Sequence, residues 1–303
     1  MKTATLSAAA SGTFKLGNDS PIHRLGFGAM RLTGKGIWGE PENPEEARRV
    51  LRRAVELGIN FIDTADSYGP EVSERLIAES LHPYPAGLVI ATKGGLTRQG
   101  PDRWEPVGRP EYIQQCVEMS LRRLRLERID LYQLHRIDPK VPVEETLSAL
   151  KELQQQGKIR HIGLSEVSVR EIKHAQNIVP IVSVQNRYNL TDREHEDVLN
   201  YCEQHDLGFI PWAPVAAGGL TRPRGALDLA ATKYKATVAQ LSIAWLLHRS
   251  PFMLPIPGTS SVDHLEENVA AATLVLPKEE WQKIEHAVAS KRSAQGSDSS
   301  VSF

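Results

Sequence analysis

Short apolar runs alternate with longer amphipathic segments along most of this chain, and that alternation leaves few architectures open. After a first buried run, Leu25-Gly26-Phe27-Gly28, strand-like stretches fall at 60–64, 88–93, 129–135, 161–165, 181–185, 209–212 and 253–256. Helical periodicity covers 45–57, 72–80, 111–124, 143–155, 169–175, 194–205 and 238–247, with a last segment at 278–289. Asn43-Pro44-Glu45-Glu46 supplies a capping residue, a proline at the first helical position and early acids. Gly58, Gly157 and Gly208 each follow a helical pattern just before a strand, as helix-terminal glycines do. About eight βα units in 303 residues is the length a closed barrel needs. The expected fold is α/β, a (β/α)8 TIM barrel, with the whole chain, 1–303, as one domain. Residues 13–25 read as an N-terminal β-hairpin around Gly17-Asn18-Asp19, a plug or lid ahead of the barrel, and 290–303 as a mobile polar tail.

An open doubly wound sheet is the competing architecture, and it demands a dinucleotide fingerprint at the first βα turn. Gly34-Lys35-Gly36-Ile37-Trp38-Gly39 matches the G-x-G-x-x-G pattern. The next residues are Glu-Pro-Glu-Asn-Pro rather than a helix, so no helix N-terminus faces a pyrophosphate. The segment reads as a loop after the first strand, and Trp38 either walls a substrate pocket or packs in that loop.

Composition excludes several function classes. A formal net charge of -1 gives no electrostatic footprint for nucleic acid or an anionic membrane. No apolar run has the length of a membrane span, and the N-terminus has no signal-peptide core, so a cytoplasmic address is expected. Cys116 and Cys202 lie far apart in helical patterns and read as free thiols, and no histidine or cysteine spacing resembles a metal site. Arg122, Arg123 and Arg125 read as a solvated helix face.

In a barrel of this kind every strand ends at the same rim, and that rim carries the active site. The second strand ends at Asp63, with Tyr68 in the loop beyond it; the third ends at Lys93; the fourth ends at His135. Each has a plain alternative. Asp63 could cap a helix, Tyr68 could pack, Lys93 could snorkel, and His135 could be a hydrogen-bonded structural residue. Together they suggest one task. A lysine ammonium beside a tyrosine lowers the phenol's pKa toward the range useful for proton transfer. Asp63 would hold the ammonium charged, and a neutral imidazole would position and polarise a carbonyl oxygen. No nucleophilic Ser or Cys is backed by a base, which suits protonation of an oxygen while a bound cofactor delivers hydride to carbon.

In these strand contexts Asp63-x4-Tyr68, Lys93 and His135 resemble the catalytic tetrad of the aldo-keto reductase family. The resemblance extends through Leu25-Gly-Phe-Gly28, Leu121-x2-Leu124 before Ile129-Asp-Leu-Tyr132, Ile256-Pro-Gly-Thr-Ser260 and Glu267-Asn268, most of the chain. It implies Tyr68 as proton donor, Lys93 and Asp63 tuning it, and His135 orienting the carbonyl. It further implies that Gly28, Ala29 and Met30 line the cofactor and that Ser165 and Gln185 hold the nicotinamide carboxamide. Trp212 would stack on the nicotinamide ring. Ala213, Pro214, Val215, Ala217 and Gly218 would surround the pyrophosphate. Gly258, Thr259, His264, Glu267 and Asn268 would meet the adenosine end, with Ile256 and Ser260 completing the set.

Two departures from the family pattern matter. Glu166 replaces the usual Asn after Ser165, and Gly258 and His264 stand where many members place Lys and Arg near a 2′-phosphate. NADP(H) is nevertheless expected over NAD(H), through Thr259, Ser260 and helix-terminus donors. The implied partner is a small carbonyl substrate, with Trp38, Trp104 and Trp212 framing its pocket and pyridoxal as a first guess. No nucleic acid or membrane partner is expected, and the chain should be a monomer or weak homo-oligomer. Two other readings are a Schiff-base lyase using Lys93 and a non-catalytic cofactor-binding regulatory subunit.

Overall fold

The computed structural model describes residues 6–215 and 226–296. Its centre is a parallel sheet of seven strands: β3 (Phe27–Gly28), β4 (Phe61–Asp63), β5 (Val89–Gly94), β8 (Ile129–Leu134), β9 (Ile159–Ser165), β10 (Ser183–Gln185) and β11 (Gly208–Phe209). They pair in that spatial order, each with the next. The segment after Ser250 closes the ring. Phe209 pairs in parallel with Met253, and Leu254 N donates to Phe209 O at 2.8 Å. On its other side Gly26 N donates to Pro255 O at 3.0 Å and Gly28 N to Pro257 O at 3.5 Å. Pro255 and Pro257 have no N–H to return, so this eighth stave keeps only a sparse ladder. The result is a closed (β/α)8 barrel.

Antiparallel strands β1 (Thr13–Leu16) and β2 (Ser20–His23) form the expected hairpin. Leu16 and Ile22 join Phe61, Val89, Ala91, Leu131, Ile210, Leu254 and Ile256 in one buried cluster that fills the lower lumen. The hairpin is therefore a plug at the barrel's N-terminal end. Asp19 fastens it, accepting from Arg160 Nη2 at 2.8 Å and lying 2.8 Å from His161 Nε2. Gly17 in its turn has φ +59°, and a Cβ there would lie 2.2 Å from the His161 ring.

The surrounding helices are α1 (Pro44–Glu56), α2 (Val72–Leu81), α3 (Pro110–Leu124), α4 (Val143–Gln155), α5 (Val169–Gln176), α6 (Glu196–Gln204), α7 (Ala226–Tyr234), α8 (Val238–Arg249), α9 (Val262–Ala270) and α10 (Lys278–Gly296). Asn43 caps α1 as expected, its Oδ1 accepting from Glu46 N at 3.0 Å. Capping boxes begin α5 at Ser168 and α8 at Thr237. No helix among the described residues is long and apolar enough to cross a membrane.

Several expectations are corrected. A second hairpin, β6 (Leu96–Gly100) and β7 (Arg103–Pro106), follows β5. Its residues are mostly polar and partly exposed, so no apolar alternation announces it. α7 and α9, nine residues each, are not among the expected helices. The last helix continues to Gly296 rather than giving way to a loose tail at 290, since Lys291-Arg-Ser-Ala-Gln295 contains no helix breaker. Gly208 is not a helix terminator. It lies in β11, where a Cβ would come within 2.8 Å of Leu254, and Asp206 takes the left-handed backbone at φ 55° instead. Arg123 is not solvated either: its side chain is 12% exposed and Nε donates to the buried Glu74 at 2.6 Å.

Candidate active site

The two-residue period of a strand decides what reaches the lumen. In β4 it sends Phe61 and Asp63 inward while Ile62 packs outward against helices. In β5 it sends Val89 and Ala91 inward, then Lys93; in β8 it sends Leu131, then Gln133, with His135 just past the strand. The lower lumen is thus apolar and the upper rim carries an acid, an ammonium, an amide and an imidazole. In β9 and β10 the same rule brings Ser165 and Gln185 to that rim.

Lys93 is fully buried, and its ammonium makes three contacts. Nζ donates to Asp63 Oδ1 at 2.6 Å, to Thr64 O at 2.8 Å and to the Tyr68 hydroxyl at 3.2 Å. The other Asp63 oxygen accepts from Gln133 Nε2 at 3.0 Å and Gln185 Nε2 at 2.8 Å. His135 stands edge-on to the Tyr68 ring, centroids 5.8 Å apart, with Nδ1 3.3 Å from Ser67 Oγ. Acid, phenol, ammonium and imidazole therefore share one rim.

Electrostatics assign the protonation states. Burial pulls the Lys93 pKa down, but Asp63 and Tyr68 outweigh it, and the ammonium is held above its ordinary value. Burial drives His135 well below its ordinary value, and the nearby Lys93, Arg136 and Arg98 cations push the same way, so the imidazole is neutral. Tyr68 departs from the sequence-based expectation. Burial raises its pKa above the ordinary value, and the opposing pull of Lys93 and Arg136 does not overcome it. The phenol is a protonated donor through neutral pH rather than an acidified one.

The loop that carries Tyr68 is anchored from beneath. Thr64 Oγ1 lies 2.8 Å from Ser73 Oγ, Asp66 N donates to Lys93 O at 3.1 Å, and Glu71 N donates to Asp66 O at 2.7 Å. Asp66 itself is pushed up to about 7 by burial and by Glu74.

Beside the rim, a groove of about 550 Å³ runs between the loop after β3 and the loop after the eighth stave. Its lining includes Met30, Arg31, Lys35, Val215, Thr259 and Ser260, with Gly258 at its floor. Two cations and three hydroxyls (Thr33, Thr259 and Ser260) along one trough are a donor set suited to a dinucleotide's phosphates. Gly28 and Ile256, in the staves next to it, are buried, as is Ala29, which opens the 3-10 turn Ala29–Leu32 after β3. Trp212 follows β11, with Ala213 and the buried Pro214 after it. His264, Glu267 and Asn268 lie on α9 and are not in the groove's lining. Ala217 and Gly218 lie outside the described residues.

Three predicted contacts take a more specific form. Gln185 commits its amide nitrogen to Asp63 and to Gln133 Oε1 at 3.3 Å. The Ser165 hydroxyl accepts from Arg136 Nη1 at 3.0 Å. Glu166, with φ 56°, commits its carboxylate elsewhere. It accepts from Trp212 Nε1 at 2.5 Å and from Arg187 N at 2.8 Å, so it steadies the tryptophan. Trp104 lies in β7, edge-on to Tyr68 and His135 at 6.3 Å each, and Trp38 is 37% exposed in the loop after β3.

The sequence alone did not single out Gln133, Arg136, Arg98, Arg31 or Lys35. Gln133 was within reach, because the β8 alternation that delivers His135 also delivers the residue two before it. Arg136 and Arg98 offered no such signal, since neither follows a strand period and each also reaches partners far away in sequence, Ser165 for Arg136 and Gly36, Ile37 and Ser67 for Arg98.

A profile of the Aldo/keto reductase family matches residues 24–289. An uncharacterized oxidoreductase of Schizosaccharomyces pombe is 53% identical over 283 residues, 93% of this chain and 92% of that protein. Pyridoxine 4-dehydrogenase of Escherichia coli is 42% identical over 277 residues, 89% of this chain and 96% of that enzyme. A solved aldo/keto reductase of Klebsiella pneumoniae in complex with NADP and acetate superimposes with a TM-score of 0.77 at 26% identity, covering 90% of this chain and 94% of that one. Family match, relatives and rim agree: the chain belongs to the Aldo/keto reductase family and is an oxidoreductase acting on carbonyl and alcohol groups.

Proposed function

We propose that this protein, as one catalytic domain, reduces a small aldehyde or ketone to the alcohol with NADP(H), and that pyridoxal or another compact aromatic aldehyde is its substrate. The observation that carries this reading is the Lys93 ammonium, which touches both Asp63 Oδ1 and the Tyr68 hydroxyl at 2.6 and 3.2 Å. Bound in the groove, the dinucleotide supplies a hydride to the carbonyl carbon. The carbonyl oxygen, as it gains charge, takes the proton of Tyr68 Oη. Lys93 stabilises the phenolate left behind, and Asp63, held by two amides, keeps the ammonium charged and fixed. His135 is neutral, so it can donate a hydrogen bond to the carbonyl without competing for the proton.

Cofactor choice is supported by Arg31 and Lys35 in the groove, which supply positive charge there, whereas Gly258 carries none and His264 is not in the lining. The Klebsiella neighbour's NADP and the pyridoxine 4-dehydrogenase relative favour the same choices. A Schiff-base lyase would need Lys93 neutral and within reach of substrate, and a buried, charged Lys93 paired to Asp63 weighs against it. The test is NADPH consumption with pyridoxal, other aromatic aldehydes, aliphatic aldehydes and ketones, repeated with NADH. Turnover of at least one aldehyde, faster with NADPH, is expected. Absence of turnover across the panel would favour the regulatory reading, and equal rates with NADH would remove the cofactor preference.

A further inference from the structure

Arg98 lies in β6, on the hairpin that interrupts the βα alternation, and all five of its N–H donors meet main-chain carbonyl oxygens. Nε donates to Arg103 O at 3.1 Å, Nη1 to Ile37 O and Ser67 O at 2.7 Å each, and Nη2 to Gly36 O at 3.0 Å and Gly100 O at 3.2 Å. A guanidinium has five donors in a rigid fork, so none is left for a ligand. The carbonyls belong to three separate segments: the loop that carries Trp38, the loop that carries Tyr68, and the hairpin that carries Trp104. Both tryptophans also meet the guanidinium through their rings. Cζ is 3.6 Å from the Trp104 centroid and 5.5 Å from that of Trp38. The Trp38 loop is latched to the Tyr68 loop as well, by Gly39 N to Gly69 O at 2.6 Å and Gly69 N to Ile37 O at 3.3 Å.

Resting on the function proposed above, we infer that Arg98 is a positioning residue that assembles Trp38 and Trp104 into an aromatic wall beside Tyr68 and His135, and so gives the enzyme its preference for flat aromatic aldehydes over small aliphatic ones. Arg98 acts through the two indoles and never through the substrate. Without it, the Trp38 loop keeps only main-chain bonds to its two neighbours, Gly39 N to Gly69 O and Gly69 N to Ile37 O on one side and Asp102 N to Gly36 O at 2.9 Å on the other, and Trp104 loses the cation that fixes its plane. Lysine cannot substitute, because a compact ammonium has three donors and no flat face to stack on an indole. A small aliphatic aldehyde makes little use of such a wall and loses less when it loosens.

The test compares kcat/KM for 4-nitrobenzaldehyde and propanal, with NADPH, in the wild type, Arg98→Lys and Arg98→Gln. The aromatic-to-aliphatic ratio should fall at least tenfold in both variants, chiefly through KM of the aromatic aldehyde. The NADPH Kd, read from tryptophan fluorescence, should stay within about threefold. A purely structural role would lower both specificity constants together; an unchanged ratio therefore overturns the inference, whatever the absolute rates. If Arg98→Gln does not fold, Arg98→Lys decides the matter alone. If the wild type reduces neither aldehyde, the proposed function is decided by the wider panel above. The wall is then judged by acrylamide quenching: Arg98→Lys should increase it, Trp104→Leu should abolish most of that increase, and no increase overturns the inference.

Discussion

Glu166 shows what a single substitution against a family pattern can mean. A carboxylate has no donor for a carboxamide oxygen, and here it takes up the Trp212 indole N–H and the Arg187 amide instead. The departure was visible in the sequence, but its use was not, because Trp212 lies forty-odd positions away and only the barrel brings the two together. Tyr68 and His135 carry the residue-scale prediction. On the mechanism proposed above, reduction requires a protonated Tyr68, and burial holds that phenol above its reference pKa of about 10, while His135 is already neutral. The carbonyl-reduction rate should therefore be level from about pH 6 to about pH 9, with no histidine limb. Alcohol oxidation requires the phenolate and should climb with pH by about tenfold per unit over the same range. A reduction profile that falls between about pH 6 and 7 would show that a group other than Tyr68 supplies the proton.

Among the elements, those with strong periodicity were legible and those built on distant contacts were not. Seven strands and most helices follow from apolar spacing, caps and breakers, and the same period placed Asp63, Lys93 and His135 at one rim. The β6–β7 hairpin escaped because its strands are polar and are held by Arg98 and by loop carbonyls rather than by an apolar face. The N-terminal hairpin was legible as a hairpin, and its role as plug follows from Leu16 and Ile22 in the lumen cluster. Gly17→Val tests that role. It places a branched side chain at φ +59° and against the His161 ring, 2.2 Å from where a Cβ would stand. A loss of about 1–3 kcal/mol in urea unfolding is expected. An unchanged midpoint would mean that the hairpin does not bear on the barrel.

At the scale of the whole molecule, the barrel separates stability from chemistry. An apolar lower lumen, plugged by β1 and β2, supports a polar upper rim, and the groove beside the rim opens between the first and last staves. The rim was legible because one rule of strand geometry converts sequence positions into shared space. The groove's cations were not, since Arg31 lies in a four-residue 3-10 turn and Lys35 in the loop beyond it, whose paths no periodicity describes. On the proposed reading, cofactor binding and proton transfer use different residues and should be separable. The most direct measurement is Tyr68→Phe, followed both by NADPH-dependent aldehyde reduction and by the thermal shift on adding NADPH. The variant should lose about 10²-fold or more in kcat. Its melting temperature should still rise with NADPH as the wild type's does, because the groove is intact. Turnover near the wild-type rate in Tyr68→Phe would contradict the account at its centre.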